Sequence, residues 1–169
     1  MNANEVIDNI ASKTDECILF LSLGKDSLVL LDLIYPKFKR VVCVFMYFVK
    51  GLSHIQRYAG FVKARYPNIE FVEVPHWTLT YLFRGGVYCE PRKVKVMKLR
   101  DVVDSVKRKY GIEYVFLGMK KAEALSSYVV LTFDTAQAMD NFLMRFGYPP
   151  NQQYIKGEEF DNRCEVSYD

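Results

Sequence analysis

Histidine is scarce in this chain. It has two, His54 and His76, and its four cysteines stand far apart, at Cys17, Cys43, Cys89 and Cys164, with no C-x-x-C pair. Zinc sites and disulfide frameworks need closely spaced ligands or paired thiols, so neither is expected. Two of the cysteines sit inside apolar runs, where a buried thiol is ordinary. Long hydrophobic runs are missing too. The longest, residues 17–23 and 41–49, are too short to span a bilayer, and the polar residues 1–14 carry no signal-like apolar stretch. A soluble, cytoplasmic protein with no membrane partner is the expectation. Charge of one sign is lacking as well: the net charge of +3 does not by itself argue for nucleic acid or a membrane surface. No internal repeat or low-complexity segment stands out.

What the chain does have is apolar bulk. Half of its 169 residues are hydrophobic and 25% are charged, which suits one folded domain. A domain of this size buries roughly 70% of the surface of its unfolded chain. Twelve Phe, twelve Tyr and one Trp point to a bulky core with stacking surfaces left over.

Apolar runs alternate with amphipathic stretches. Val6, Ile7 and Ile10 give a first helical face. Residues 17–22 (CILFLS) read as a buried strand, because they are apolar without polar alternation. Residues 26–35 form a helix ended by Pro36, and residues 41–48 (VVCVFMYF) a second buried strand. Ser53 caps a helix over 54–66, ended by Pro67, and residues 69–74 alternate as a third strand does. Trp77, Leu79 and Leu82 mark a short helix closing at Gly85-Gly86. From Arg92 the spacing of Val96, Leu99, Val103, Val106 and Tyr110 predicts a further helix, stopped by Gly111. Residues 113–118 and 128–133 are the fourth and fifth strands, and Asp134 caps a last helix over 136–146 before the Tyr148-Pro149-Pro150 turn. Strands separated by helices give βαβ units, parallel pairing and right-handed crossovers. The expected fold is α/β, with three layers (α/β/α) around a doubly wound, mainly parallel five-stranded sheet.

In such sheets ligands bind beyond the carboxyl ends of strands. The turn after the first strand reads Ser22-Leu23-Gly24-Lys25-Asp26-Ser27 and suits a phosphate. Gly24 lets the backbone approach, the helix N-terminus offers N–H groups and a positive dipole end, Ser22 and Ser27 add hydroxyls, and Lys25 adds a charge. The Walker A pattern G-x-x-x-x-G-K-[ST] is absent. Read without a ligand, the same residues are a capped strand–helix turn with Asp26 or Ser27 as N-cap.

Ser-Leu-Gly-Lys-Asp-Ser resembles the PP-loop, S-x-G-x-D-S, of the adenine nucleotide α-hydrolase superfamily. That superfamily includes ATP pyrophosphatases and phosphoadenylyl-sulfate (PAPS) reductases. Its commonest form has Gly where Leu23 stands; a bulky residue there is usual in the sulfur-assimilation members. Gly118-Met119-Lys120-Lys121-Ala122-Glu123 is similar to the G-x-R-R-x-E segment of PAPS reductases, with Lys replacing both arginines. Lys lacks the bidentate fork of Arg toward an oxyanion. Residues 141–157 look like the family's Y-x-x-x-x-x-L-P-x-N-x-x-Y-x-x-G region.

The resemblance is to the PAPS reductase-like branch and implies residues 1–147 as a nucleotide-binding domain, with 148–169 a turn and acidic tail. It also implies ATP or PAPS as the nucleotide, held by Ser22, Leu23, Gly24, Lys25, Asp26 and Ser27 and by Gly118, Lys120 and Lys121. Adenine would sit against Phe45, Met46 and Tyr47. Lys25 and Asp26 are the catalytic candidates, with Asp26 an indirect contact to Mg²⁺ in an adenylating enzyme.

The chain departs from the family where Tyr47-Phe48-Val49-Lys50-Gly51 replaces an acidic D-T-G, and where the E-C-G-[LI]-H tail of the reductases has no counterpart. Cys164 is the thiol candidate in its place. Arg163 favours its thiolate, while Glu158, Glu159, Asp161, Glu165 and Asp169 oppose it. The Cys-Cys and Cys-x-x-Cys pairs of iron–sulfur adenylyl-sulfate reductases are absent, so no cluster is expected.

Residues 92–109 hold eight basic and two acidic side chains, with Arg92, Lys95 and Lys98 on one side of the expected helix. They make either a solvated outer face or an anion surface for a nucleotide tail, RNA or DNA. Trp77, Tyr81, Arg84 and Tyr88, just before them, are the stacking candidates. The leading functional expectation is an enzyme that acts on a sulfonucleotide or adenylates a substrate with release of pyrophosphate. The alternatives are a non-catalytic nucleotide-sensing or protein-interaction module and a sulfur-insertion enzyme on tRNA or DNA. Partners expected besides the nucleotide are a thiol-donating protein or a second copy of the chain.

Overall fold

The structure, a computed structural model, describes residues 3–87 and 89–118 and the backbone of 129–131. The expected helix over 136–146, the 148–150 turn, the 148–169 tail and the side chains of Tyr88, Lys120, Lys121 and Cys164 lie outside the described residues.

The chain opens with helix α1 (Ala3–Ala11), which buries Ile7 and Ile10. Strand β1 (Glu16–Phe20) leads into α2 (Lys25–Ile34), and β2 (Arg40–Tyr47) into α3 (Ser53–Arg65). Strand β3 (Ile69–Pro75) is followed by α4 (Leu79–Gly85) and α5 (Leu99–Tyr110), then by β4 (Val115–Gly118) and β5 (Val129–Leu131). The five strands form one sheet in the order β3-β2-β1-β4-β5, and all four pairings are parallel.

Alternate residues of β1, β2, β3 and β4 enter opposite cores, as strand geometry requires. Cys17, Leu19, Val41, Cys43 and Phe116 join the core built with α1, α2 and α3, including Ile7, Leu30, Leu31, Ile34 and Val62. Ile18, Phe20, Val42, Val44, Val115 and Leu117 join the second core, which Val102, Val103 and Val106 of α5 close. Helices cover both faces, so the sheet is doubly wound. The central strands are buried on both sides, which is why they read as unbroken apolar runs. Among the described residues no helix is long and apolar enough to cross a membrane.

Two local expectations need correction. Ser53 does not cap α3: it is the first helical residue, the N-cap is Leu52, and no side chain caps that end. The larger correction concerns the basic helix. Residues 91–98 are not helical, and α5 begins only at Leu99. The backbone there is tied to α4 instead: the Arg92 N–H donates to the Phe83 carbonyl at 2.9 Å and the Met97 N–H to Thr80 Oγ1 at 3.0 Å. The helix starts where the Lys98 N–H finds Asp101 Oδ2, 2.7 Å away. Arg92, Lys95 and Lys98 therefore lie along a non-helical strap, turned at Lys93 where the Val94 N–H donates to the Arg92 carbonyl at 2.9 Å, and not on a helix face. Glycine ends the helices on either side of it, Gly86 after α4 at φ +71° and Gly111 after α5 at φ +69°.

Candidate functional site

The strand order reverses between β1 and β4. From β1 the chain steps outward to β2 and β3, then returns to place β4 on the other side of β1. A crevice opens at the carboxyl ends of the strands at such a point. Two of the sequence-derived segments meet there. The loop 22–27 leaves β1, and Gly118 ends β4. A Cβ on Gly118 would stand 3.3 Å from the Asp26 carbonyl carbon and 3.4 Å from Asp26 Cβ. A side chain there would make Asp26 give way by a few tenths of an ångström, so glycine suits the close approach of β4 to the first turn of α2.

The loop is held by its own polar atoms. The Gly24 N–H donates to Ser22 Oγ at 3.2 Å, and Ser27 Oγ donates to the Gly24 carbonyl at 2.9 Å. The two serine hydroxyls are 3.1 Å apart. A hydroxyl has one proton, and that of Ser27 is committed to Gly24, so Ser22 is the donor between the serines. The result is a closed ring of three hydrogen bonds around Leu23. Ser22 is exposed to solvent while Ser27 is buried.

Closing this ring forces Leu23 to φ +63°, and Leu23 is the one non-glycine residue with positive φ among the described residues. The left-handed conformation costs about 1–2 kcal/mol for a residue with a Cβ. The Leu23 side chain is only 4% exposed and belongs to the α1–α2–α3 core. Burying a leucine contributes about 1.5–3 kcal/mol, enough to offset that strain. A left-handed φ is one that glycine adopts without strain, and burial of its side chain is what Leu23 gains in exchange.

Lys25 and Ser27 are the buried polar side chains among the described residues, at 8% and 2% exposure. Neither Asp26 nor Ser27 is the N-cap of α2. The cap is Gly24, no side chain caps the end, and Lys25, Asp26 and Ser27 form the first helical turn. That end of α2 presents backbone N–H groups and the positive end of the helix dipole to the crevice. Asp26 is half-buried there. Among the described residues no three His, Cys, Asp or Glu side chains group as metal ligands.

The remaining candidates sit around this loop in different ways. The last β1–β2 pair in the ladder is Phe20 with Val44, and the Leu21 N–H still reaches the Val44 carbonyl at 2.9 Å. Phe45, Met46 and Tyr47 therefore run past the end of β1, beside the loop. Their side chains alternate in direction. Phe45 is buried and stacks on Phe71 with ring centroids 6.3 Å apart, Met46 packs toward the opposite core, and Tyr47 returns to the first. What this strand end offers a ligand is chiefly its backbone and Tyr47.

Burial disqualifies two thiols as nucleophiles. Cys17 is buried and its thiol is pushed well above the usual range by desolvation, with nearby Cys43 adding to it. Burial alone pushes Cys43 up to about 12.

One feature escaped the sequence reading. Beyond the β2–β3 pairing of Tyr47 with Pro75, the next residues, Phe48 and His76, stack face to face with centroids 4.3 Å apart and planes 20° from parallel. His76 continues to Trp77 at 5.7 Å, and Trp77 meets Tyr81 edge-on at 5.8 Å. Thr78 places both its N–H and its hydroxyl on His76 Nδ1, which fixes the plane of the ring. Trp77 and Tyr81 stood out in the sequence. Phe48 and His76 join them only through strand register, which a single sequence does not display.

No family model and no curated protein matches the sequence. Among solved structures the chain is similar to an NH3-dependent NAD synthetase from Campylobacter jejuni subsp. jejuni NCTC 11168, in complex with the nitrate ion. The TM-score is 0.58 at 16% identity, over 92% of this chain and 76% of that one. The likeness is one of fold, and it agrees with the doubly wound α/β architecture described above.

Proposed function

We propose that this chain is a PP-loop protein that binds an adenine nucleotide at residues 22–27 and transfers its adenylyl group to a substrate, releasing pyrophosphate. One observation carries the reading: the buried lysine and the buried serine of the described structure both lie in the loop at the switch point of the sheet. Burying a charge costs free energy unless it is paired and hydrogen-bonded. Beside that loop a helix N-terminus with no side-chain cap offers N–H groups and a positive dipole end to an anion. The neighbour of the same fold is named as an NAD synthetase and was solved with an anion, nitrate.

In the proposed reaction a substrate oxygen attacks the α-phosphorus of ATP. The new O–P bond forms as the bond to the oxygen bridging the α- and β-phosphates breaks, and that oxygen departs with its electron pair on pyrophosphate. The charge that develops there is met by the Lys25 ammonium and by the N–H groups of the first turn of α2. Ser22 faces solvent and can turn its hydroxyl from Ser27 to a phosphate oxygen. Gly118 packs the end of β4 against Asp26 of the loop, and Lys120 and Lys121 follow it in sequence. Adenine lies along the end of β2, at Phe45, Met46 and Tyr47.

A single carboxylate, Asp26, fits a Mg²⁺ that arrives on the phosphates and keeps most of its waters, not one held in a protein cage. Bound in that way, the ion would neutralise phosphate charge. The same loop would take the phosphate or sulfate end of PAPS, but that chemistry needs a thiolate. Cys17 and Cys43 are unsuited to supply it, which leaves Cys89, Cys164 or a thiol-donating partner.

Calorimetry with ATP and with PAPS tests the reading, followed by pyrophosphate release in the presence of Mg²⁺. Sub-millimolar ATP binding that Lys25→Ala weakens is expected. Absence of binding by either nucleotide, or no effect of Lys25→Ala, would overturn it.

A further inference from the structure

Phe48, Val49, Tyr81 and Val87 are the large hydrophobic side chains exposed among the described residues: Phe48 and Val49 directly follow β2, Tyr81 is on α4 and Val87 comes just after it. Two of them belong to the aromatic ladder. Phe48, 46% exposed, is its outer ring, and the face turned away from His76 continues the stack outward. Tyr81, 44% exposed, stands at the other end, on α4.

The strap 91–98 runs from this ladder toward α5, pinned to α4 through Phe83 and Thr80. It carries Arg92, Lys93, Lys95 and Lys98, all exposed, and none of them has an ion-pair partner among the described residues. Its sequence alternates: Lys93 and Lys95 point to solvent while Val94 and Val96 are half-buried. The Val94 N–H donates to the Arg92 carbonyl at 2.9 Å, so the strap turns at Lys93 and displays a row of exposed cations along an irregular backbone. Between the strap and α5 lies an open groove of about 620 Å³ that Lys95, Lys107 and Arg108 line. The two aspartates in that groove are already engaged, Asp101 by the Lys98 N–H and Asp104 by Arg100. Three cations against two carboxylates leave the lining of the groove a net charge of +1.

We infer that the aromatic ladder and the basic strap form one binding surface for single-stranded nucleic acid, with bases stacking on Phe48 and Tyr81 and phosphates following Arg92, Lys93 and Lys95. Flat rings with an open face accept any unpaired base, and exposed lysines on the strap neutralise phosphates without reading sequence. A duplex keeps its bases stacked on one another and has no free face to offer the ladder. The surface lies outside the 22–27 loop and does not rest on the adenylation reading.

Trp77, the chain's one tryptophan, sits inside the ladder and reports on it directly. The test uses the full chain with oligo(rU) and oligo(dT) of roughly 12 nucleotides and a duplex of equal length, read by anisotropy and by tryptophan fluorescence. Both single strands are expected to bind, to quench Trp77 and to outcompete the duplex. Phe48→Ala, on an exposed ring whose loss leaves the core intact, should weaken binding about tenfold with the salt slope unchanged. Lys93→Ala/Lys95→Ala should flatten the slope of log K against log salt by about 1.4. Lys25→Ala should bind oligonucleotide as the unmodified chain does, which separates this surface from the nucleotide loop.

The inference is overturned by no binding at about 50 mM salt, by a duplex that binds as well as the single strands, or by an unaffected Phe48→Ala. Self-association lost in Phe48→Ala, with no oligonucleotide bound, would reassign the patch to contacts between copies of the chain.

Discussion

The loops that leave β1 and β2 emerge from neighbouring strands at the same edge of one sheet, yet they are built in opposite ways. Residues 21–24 turn inward. Leu23 is buried and the Ser22, Gly24 and Ser27 ring fixes the backbone. Residues 48–52 turn outward, with Phe48, Val49 and Lys50 exposed and Gly51 at φ +82°. The first loop offers fixed polar groups in a partly desolvated place, which suits a charge whose position must be defined. The second offers flat apolar area and little directed polarity, which suits a planar group of no fixed identity. One sheet edge thus carries two recognition chemistries side by side.

The comparison breaks most visibly if the two loops fail to separate in binding. Lys25→Ala is expected to weaken ATP binding by about tenfold to a hundredfold, because hydrogen bonds to charged groups contribute about 1.5–3 kcal/mol. Phe48→Ala should leave ATP affinity within twofold. Calorimetry on the two variants checks both. Equal losses would mean that the loops form one site.

A nearly equal effect is expected from the far side of the crevice. A side chain at Gly118 must displace the Asp26 backbone, 3.3 Å away from the position of the new Cβ. Gly118→Val should cost about 1–3 kcal/mol of stability through overpacking and lower ATP affinity by moving the first turn of α2. Urea denaturation and calorimetry read the two effects, and an unchanged affinity would detach β4 from the site.

At Leu23 the smaller quantity is the difference between two variants, and its sign is unusual. Leu23→Ala loses the buried side chain and keeps the left-handed strain, for about 2–5 kcal/mol. Leu23→Gly loses the same side chain and sheds that strain, so it should cost about 1 kcal/mol less than Leu23→Ala. In an ordinary helix or strand the glycine variant is the worse of the two. Denaturant midpoints of both variants decide it, and the ordinary order would show that the Leu23 conformation carries no strain.

These contrasts explain what was legible in the sequence. The buried strands were plain because apolar runs such as VVCVFMYF meet both cores and need no partner to be recognised. The 22–27 loop was legible because its chemistry is local: Ser22, Gly24 and Ser27 bond within six residues of chain. The strap was misread for a physical reason. Val96 and Leu99 continue the three-and-four spacing of α5 backward, while Lys93-Val94-Lys95-Val96 alternates with the period of an extended chain. Hydrogen bonds to Phe83 and Thr80, partners distant in sequence, decided between the two patterns. The Phe48–His76 stack was invisible for a related reason: it exists only because β2 and β3 pair in one register.

The smallest effect compares the serines at the starts of α2 and α3. An N-cap serine replaced by alanine costs about 1 kcal/mol, and the sequence places Ser53 in that role. In the structure Ser53 is exposed and already helical, behind the cap Leu52. Alanine is a better helix former than serine, so Ser53→Ala should leave stability within about 0.5 kcal/mol or raise it slightly. Ser27 is also inside its helix, but it is buried and donates to the Gly24 carbonyl at 2.9 Å. Ser27→Ala removes that donor and leaves Ser22 without its acceptor, so a loss of about 1–2 kcal/mol is expected. Thermal or urea melts of the two variants measure the difference. A Ser53→Ala loss as large as that of Ser27→Ala would restore the cap at α3 and erase the distinction between a helix start organised around its own hydrogen-bonded loop and one that is not.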